Sequence, residues 1–385
     1  MRRSIRTALV GAVLAGSLAV SAAAADYTAC ADSLQALGLF QGTEQGYDLD
    51  RAPTRAEAAV MLIRLLGEEA NALALEYTAP FTDLESWQQP YIQYLYENGL
   101  TTGTSDTAYA PEQLCSAQMY AAFMLRALDY SEAEGDFAYN DAVAFAQQIG
   151  LYDPAVVDTT EFLRDDAAAA SYTALSLQPK NVEDTLLDQL VADGAVDAAA
   201  AETYQSLFET YALYREATAG MKELTQFSVR GGVTVKQDDG MTLTTQDCVS
   251  VDRENGTATA EGTLTLKASS MEPYTQPYYM DAAQESGNVR AALLYGYGAV
   301  PLACVENIEH AGPEWTFSFR ALPAQYDGGF WALAHSGGAF EQAGTASLVQ
   351  TVQNGSVSSQ TLTVELKQGD AALHAVWTGK LDTAK

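Results

Sequence analysis

Leu49–Gly67 reads LDRAPTRAEAAVMLIRLLG and holds one charged residue that its local structure does not require. Thr54 can accept from the backbone N–H three residues on, and Glu57 can reach back, which is a capping box. Ala59, Leu62, Ile63 and Leu66 then recur on one helical face, and Gly67 can stop the helix. Arg55 takes no part in any of this. In the first turn it even opposes the helix dipole slightly. Its planar guanidinium can meet a carboxylate through two charge-assisted hydrogen bonds, so it is available for anion recognition.

Other reactive residue types give less. The three histidines, His310, His335 and His374, have no metal-ligand spacing, so neither a metal nor another cofactor is expected. The stretch Ala334–Phe340, AHSGGAF, looks like a serine-protease nucleophile segment, but His stands before the serine and no matching base is found. Gly337-Gly338 reads more simply as a loop. The acids are scattered, with no motif to single out the converging pair a glycan hydrolase needs. No catalytic residue is assigned, and the chain reads as a non-enzyme. Cys30, Cys115, Cys248 and Cys304 are too far apart for a metal knuckle. Two disulfides, Cys30–Cys115 and Cys248–Cys304, stand against buried thiols, and spacing does not decide between them.

The bulk properties narrow the setting. Of 385 residues, 20 are Lys or Arg and 50 are Asp or Glu, a formal charge of -30. That field repels nucleic acid and anionic membranes at long range, so neither is expected as a partner. With 48% hydrophobic residues, acidity does not imply disorder. Residues 1–25 carry Arg2, Arg3 and Arg6, then ALVGAVLAGSLAV, then SAAAAD, which is the pattern of a secretory signal cut after Ala23-Ala24-Ala25. The apolar run is short for a membrane span, so the expectation is an exported protein with no membrane insertion after cleavage.

The pattern of elements changes along the chain. Residues 26–180 are Ala- and Leu-rich with helical periodicity. Residues 181–220 read as a helical connector, whose second helix carries Tyr204, Leu207, Phe208, Tyr211 and Tyr214 as a core-facing stripe. From 221 to 385 the period falls to two, in segments such as FSVRGGVTVK, TATAEGTLTLKA and TLTVELKQG, which predicts an antiparallel β domain. Tyr274, Tyr278, Tyr279, Tyr295 and Tyr297 in that region could form a ligand platform, or could simply be strand and loop residues.

Internal repetition decides the first part. LQALGLFQG, LYENGLTTG and AQQIGLYD are three versions of one helix ending, with Gly at the left-handed position and an apolar residue folding back. Each is followed by an Ala-rich helix: TRAEAAVMLIRLL, SAQMYAAFMLRAL and LRDDAAAASYTAL. Within Phe81–Leu128, Phe81-Thr-Asp83, Trp87, YLYENGL and Tyr109-Ala-Pro111 precede the second of these helices. Repeat one adds Tyr47-Asp-Leu-Asp50 and Thr54-Arg55-Ala56-Glu57. In this order the features resemble the S-layer homology repeat, over about residues 26–180 (repeats at about 26–70, 80–130 and 135–180).

The resemblance implies an α+β multidomain chain whose N-terminal part is an all-α, pseudo-threefold bundle of three helical hairpins. It also implies grooves between repeats that bind a secondary cell-wall polysaccharide, commonly one with pyruvylated sugars. Thr54, Arg55 and Glu57 then become polymer-binding candidates, and Arg164 and Asp166 join them from repeat three. Repeat two departs from the pattern: Ser116-Ala117-Gln118-Met119 lacks both arginine and acid, though Ser116 could still cap. Repeat three, Leu163-Arg164-Asp165-Asp166, keeps both and loses the Thr cap. At most two grooves therefore look competent, and Trp87 is expected in the core. The expected protein is secreted and wall-anchored and displays its β domain. The alternative is a carrier or sensor whose β domain binds an apolar or sugar ligand, with the repeats as scaffold. Nothing in the sequence argues for self-assembly.

Overall fold

The computed structural model describes residues 27–42, 46–238, 240–268, 271–285, 287–319, 326, 341–344, 346–368 and 371–382. The signal segment 1–25 and AHSGGAF with His335 lie outside the described residues. The chain forms two units, one of Asp26–Glu209 with Pro301–Ala303, the other of Thr210–Val300 with Cys304–Lys385. The class is α+β: helices first, then an antiparallel sheet. No helix among the described residues is long and apolar enough to cross a membrane.

The helical unit contains α1 (Thr28–Ala36), α2 (Arg55–Leu65), α3 (Glu69–Leu73), α4 (Gln89–Glu97), α5 (Ala117–Ala127), α6 (Ala142–Ile149), α7 (Arg164–Ala174) and α8 (Leu186–Ala192). It also holds the start of α9 (Ala198–Ala217). The three repeated helix endings share one geometry. Gly38, Gly99 and Gly150 have φ of 77°, 69° and 82°. The next residue donates five positions back, Leu39 to Leu34, Leu100 to Leu95 and Leu151 to Ala146, and its side chain is buried. That is the 6→1 bond of the Schellman cap, which satisfies a helix-end carbonyl and turns the chain.

Packing crosses the repeat borders. The first helix of each repeat lies on the second helix of another: α1 on α7, α4 on α2, and α6 on α5. Alanines make this close approach feasible, since Ala58, Ala59, Ala121, Ala122 and Ala167–Ala170 are at most 1% exposed. Small side chains let helix backbones come together while larger neighbours fill the remaining space.

The second unit is one antiparallel sheet: β1 (Gln226–Gln237), β2 (Thr242–Asp252), β3 (Thr257–Ala268), β4 (Met271–Asp281), β5 (Asn307–Ala311), β6 (Glu314–Phe319), β7 (Glu341–Gln342), β8 (Ala346–Gln353), β9 (Ser356–Gln368) and β10 (Ala371–Asp382). Its order is β4-β3-β2-β1-β10-β9-β8-β6-β5, with β7 paired to β9. One face is packed. Phe227, Val229, Val233 and Val235 of β1 are buried at every second position, as the sequence alternation requires. Helix α10 (Gly287–Tyr295) packs on β2 and β3. Tyr214 of α9, fully buried, donates to Gln350 at 2.5 Å and accepts from the Val300 N–H at 2.9 Å. Gln350 in turn donates to the Gly298 carbonyl at 2.7 Å and to Gln360 at 2.9 Å, and Gln360 donates to the Gly296 carbonyl at 2.6 Å. These buried amides satisfy the irregular 296–300 segment where no ladder can.

The suggested tyrosine platform does not form. Tyr297 is buried and donates to the Val357 carbonyl at 2.7 Å, whereas Tyr274 and Tyr279 are exposed on the edge strand β4. The two suggested disulfides are absent as well: Cys115 and Cys248 are both thiols. Burial pushes the Cys115 thiol up to about 12, which leaves it inert.

Candidate functional site

The capping box at α2 is built as its residue types predict. The Glu57 N–H donates to Thr54 Oγ1 at 3.2 Å, and the Thr54 N–H donates to Glu57 Oε2 at 2.9 Å. The helix start also docks on the loop of repeat two. The Arg55 and Ala56 N–H groups donate to the Gln113 and Pro111 carbonyls, and the Cys115 N–H donates to the Pro53 carbonyl. That loop is itself pinned by Asp83, whose carboxylate accepts from the Tyr109 N–H at 2.9 Å and the Ala110 N–H at 2.8 Å. Burial works against the ionised Asp83, but these two backbone bonds hold its carboxyl below the usual range.

Arg55 sits at this junction and is only 6% exposed. Its Nε donates to the Tyr109 carbonyl at 3.0 Å, and its guanidinium lies 4.6 Å from the centre of the Tyr109 ring and 5.7 Å from that of Phe123. Nη1 and Nη2 make no hydrogen bond or ion pair among the described residues. The helix box explains Thr54 and Glu57, and leaves the outer edge of Arg55 unspent.

Arg164 repeats this arrangement on the loop of repeat one. The Arg164 and Asp165 N–H groups donate to the Arg51 and Leu49 carbonyls, and Arg164 Nε donates to the Tyr47 carbonyl at 3.0 Å. The surroundings differ in charge. Arg164 Nη1 is 4.0 Å from Glu57 Oε2, and Glu57 is held by Arg51 through two bonds of 2.7 and 2.8 Å. Burial lowers the proton affinity of Arg164, and Glu57 acts against that. For Glu57 burial opposes ionisation, but Arg51, the Thr54 N–H and Arg164 hold its carboxyl below the usual range. Asp48 adds a second acid, 3.6 Å from Arg51. Arg51 is the exposed cation of this group; its nearness to Glu57 depends on how the loop folds, which residue spacing does not reveal.

While Leu163 supplies no side-chain cap, Asp166 keeps the Glu57 half of the capping box in repeat three. It accepts from the Leu163 N–H at 2.7 Å and the Asp158 N–H at 2.8 Å. Burial pushes its carboxyl up to about 6 despite both bonds. In repeat two Ser116 Oγ accepts from the Met119 N–H at 3.3 Å, and Ala117 stands in the arginine position. The Tyr152 hydroxyl still donates to the Ala117 carbonyl at 2.9 Å, just as the Tyr109 hydroxyl donates to the Arg55 carbonyl at 3.1 Å. Trp87 is not in the core. It is 46% exposed in the turn before α4, with its indole N–H on Glu85 at 2.9 Å. The buried neighbour is Gln88, which caps the Glu85 N–H at 2.9 Å and donates to Glu112 at 2.9 Å. Among the described residues, no group of three or more His, Cys, Asp or Glu could hold a metal ion.

In the helical unit the starts of α2 and α7 therefore lock onto loops distant in the chain. Residues 80–116 match the S-layer homology domain, and the chain is an S-layer homology domain-containing protein. Similar curated proteins include an endoglucanase of Bacillus sp. (strain KSM-635), 29% identical over 49% of this chain and 19% of its own length. The middle cell wall protein of Brevibacillus brevis is 25% identical over 33% of the chain and 12% of its own. The surface layer protein of Brevibacillus choshinensis is 28% identical over 37% and 14%. The similarity thus spans less than a fifth of each relative. Among solved structures, a dehydratase domain from the CurK module of curacin polyketide synthase is 12% identical over 44% of this chain and 80% of its own, with a TM-score of 0.13. A score that low carries no argument about fold.

Proposed function

We propose that this cell-surface protein holds an anionic secondary cell-wall polysaccharide at the junctions between its S-layer homology repeats. The observation that carries the reading is Arg55, 6% exposed and with no ion pair on Nη1 or Nη2 among the described residues. Asp83 acts on this guanidinium only through space and makes no ion pair with it, so a bound carboxylate would supply the direct partner that a nearly buried charge favours. Its place in the first turn of α2 adds the positive end of the helix dipole. A sugar bearing a pyruvyl carboxylate offers the planar, bidentate partner that such a group fits.

Arg55 is the principal contact in this reading and Arg164 the second, while Thr54, Glu57 and Asp166 hold the helix starts that present them. The junctions also support a pseudo-threefold trio. The start of α2 docks on repeat two, that of α5 meets Tyr152 of repeat three, and that of α7 docks on repeat one. Those three steps close a ring. The domain acts as an anchor rather than a catalyst, and the β unit is its displayed cargo.

The test is retention of the purified full chain on isolated cell walls, with walls stripped of secondary polymer as control. Retention that needs the polymer and falls at least tenfold in Arg55→Ala supports the reading. Equal retention by wild type and a folded Arg55→Ala, Arg164→Ala double variant, or none by wild type, overturns it.

A further inference from the structure

The β unit holds a groove that the helical junctions do not involve. Opposed residues in neighbouring strands form one cross-strand row: Gly379 (β10), Gly231 (β1), Asp247 (β2), Gly262 (β3) and Tyr278 (β4). Paired residues share a sheet face, so Asp247 is the one carboxylate in this row and has glycine on both sides. The glycines are required, because a Cβ at Gly231 would lie 1.9 Å from the Thr378 carbonyl oxygen and one at Gly262 would lie 2.3 Å from that of Gln246. Around them is an open groove of about 840 Å³; of its lining, Thr245, Asp247 and Tyr278 share the face of this row, whereas Glu261, Thr263 and Thr378 pair with Cys248, Gln246 and Gly232 and belong to the opposite face.

Asp247 is 9% exposed and is held on one oxygen only. Tyr278 reaches over Gly262 to donate to Oδ2 at 2.6 Å, and Thr245 donates to the same oxygen at 3.0 Å. Thr245 is itself oriented by the Val233 N–H at 2.9 Å. Oδ1 accepts no hydrogen bond among the described residues. Burial pushes the carboxyl up, with the two hydroxyls acting against it, and no cation compensates. Arg230, the one arginine in the groove lining, is 70% exposed and paired to Asp382 at 2.7 Å. A nearly buried carboxylate with one oxygen locked and the other unmatched is an acceptor prepared for a donor that the protein does not supply.

We propose that this groove binds an uncharged or amino-bearing sugar unit, with a ligand hydroxyl or amine donating to Asp247 Oδ1. Hydroxyl and carboxylate groups make the lining too polar for a lipid. Asp247, with the one lining arginine spent on Asp382, disfavours an anionic sugar. The glycine floor lets a flat ring approach the sheet, and the volume falls within the range of small-ligand sites.

Calorimetric titration of the full chain with cellotriose, chitotriose, fully de-N-acetylated chitotriose and trigalacturonate tests this. At least one of the first three should bind, and trigalacturonate should not. Asp247→Asn should weaken binding at least tenfold, and Tyr278→Phe, which removes a donor that seats the carboxylate, should weaken it at least threefold. No binding of the first three by wild type, preferred binding of trigalacturonate, or wild-type affinity in either folded variant overturns the proposal. Should Asp247→Asn fail to fold, Tyr278→Phe decides. The wall-retention assay is unaffected by either result, so the two readings fail separately.

Discussion

Arg55 and Tyr109 are bonded reciprocally across a repeat junction: Arg55 Nε donates to the Tyr109 carbonyl at 3.0 Å, and the Tyr109 hydroxyl donates to the Arg55 carbonyl at 3.1 Å. Both residues are buried, and the ring also stacks against the guanidinium at 4.6 Å. The pair fixes one edge of the arginine and leaves the other without a hydrogen-bond partner among the described residues. Lysine would keep the charge but lose both the Nε bond and the planar fork. Arg55→Lys is therefore expected to lose wall retention nearly as fully as Arg55→Ala, at least tenfold. Recovery to wild-type retention in Arg55→Lys would show that charge alone matters there.

The two arginine junctions should not be equal. Glu57 stands 4.0 Å from Arg164, whereas in repeat two Met119 occupies the corresponding third helical position. Arg164→Ala should reduce retention less than Arg55→Ala, by about threefold or under. Met119→Glu should weaken the Arg55 junction by placing a competing carboxylate near it. Retention assays on the three variants give the ranking directly.

Asp166 makes a pH prediction. Its folded carboxyl titrates at about 6, against about 3.9 in an unfolded chain. The folded state then holds the extra proton between those values, so this residue's contribution to stability is greatest below about pH 4 and is lost as pH rises to about 6. The span corresponds to roughly 2–3 kcal/mol. Denaturant unfolding of wild type and Asp166→Asn should show their stability difference falling over that window and level above it. A flat difference would mean that Asp166 titrates normally.

Gly103 tests the repeat-two loop. Its φ is 76°, and a Cβ there would lie 2.3 Å from the Phe81 ring. Gly103→Ala should cost more than the roughly 1–2 kcal/mol of a left-handed backbone alone, seen as a lower midpoint in thermal unfolding.

In the β unit, Gln350→Leu removes the link between Tyr214, Gln360 and the Gly298 carbonyl. Leaving such buried groups unmatched costs about 1–3 kcal/mol. Urea unfolding measures it, and a change under 0.5 kcal/mol would show that solvent reaches the network.

Local rules made much of this legible beforehand. Gly38, Gly99 and Gly150 announced their caps because only a residue without Cβ takes φ near 80° at no steric cost. Thr54 and Glu57 announced the capping box, since both partners lie within one helical turn. Strands β1, β3 and β10 showed their alternation, because one face is buried and the other wet. Strand β4 did not: Pro273 and Pro277 break a ladder-forming pattern and suit only an edge.

What the sequence determined by itself was therefore whatever is encoded within a few residues: caps, helix faces, strand period and the recurrence that marks the repeats. Tertiary structure decided which partners those elements meet. It placed Trp87 in solvent and Gln88 inside, set Glu57 between Arg51 and Arg164, and brought Tyr278 across Gly262 to Asp247. Each of these depends on contacts between segments far apart in the chain. Charge, burial and free hydrogen-bonding capacity at a site are properties of such contacts, and residue type and local spacing do not specify them.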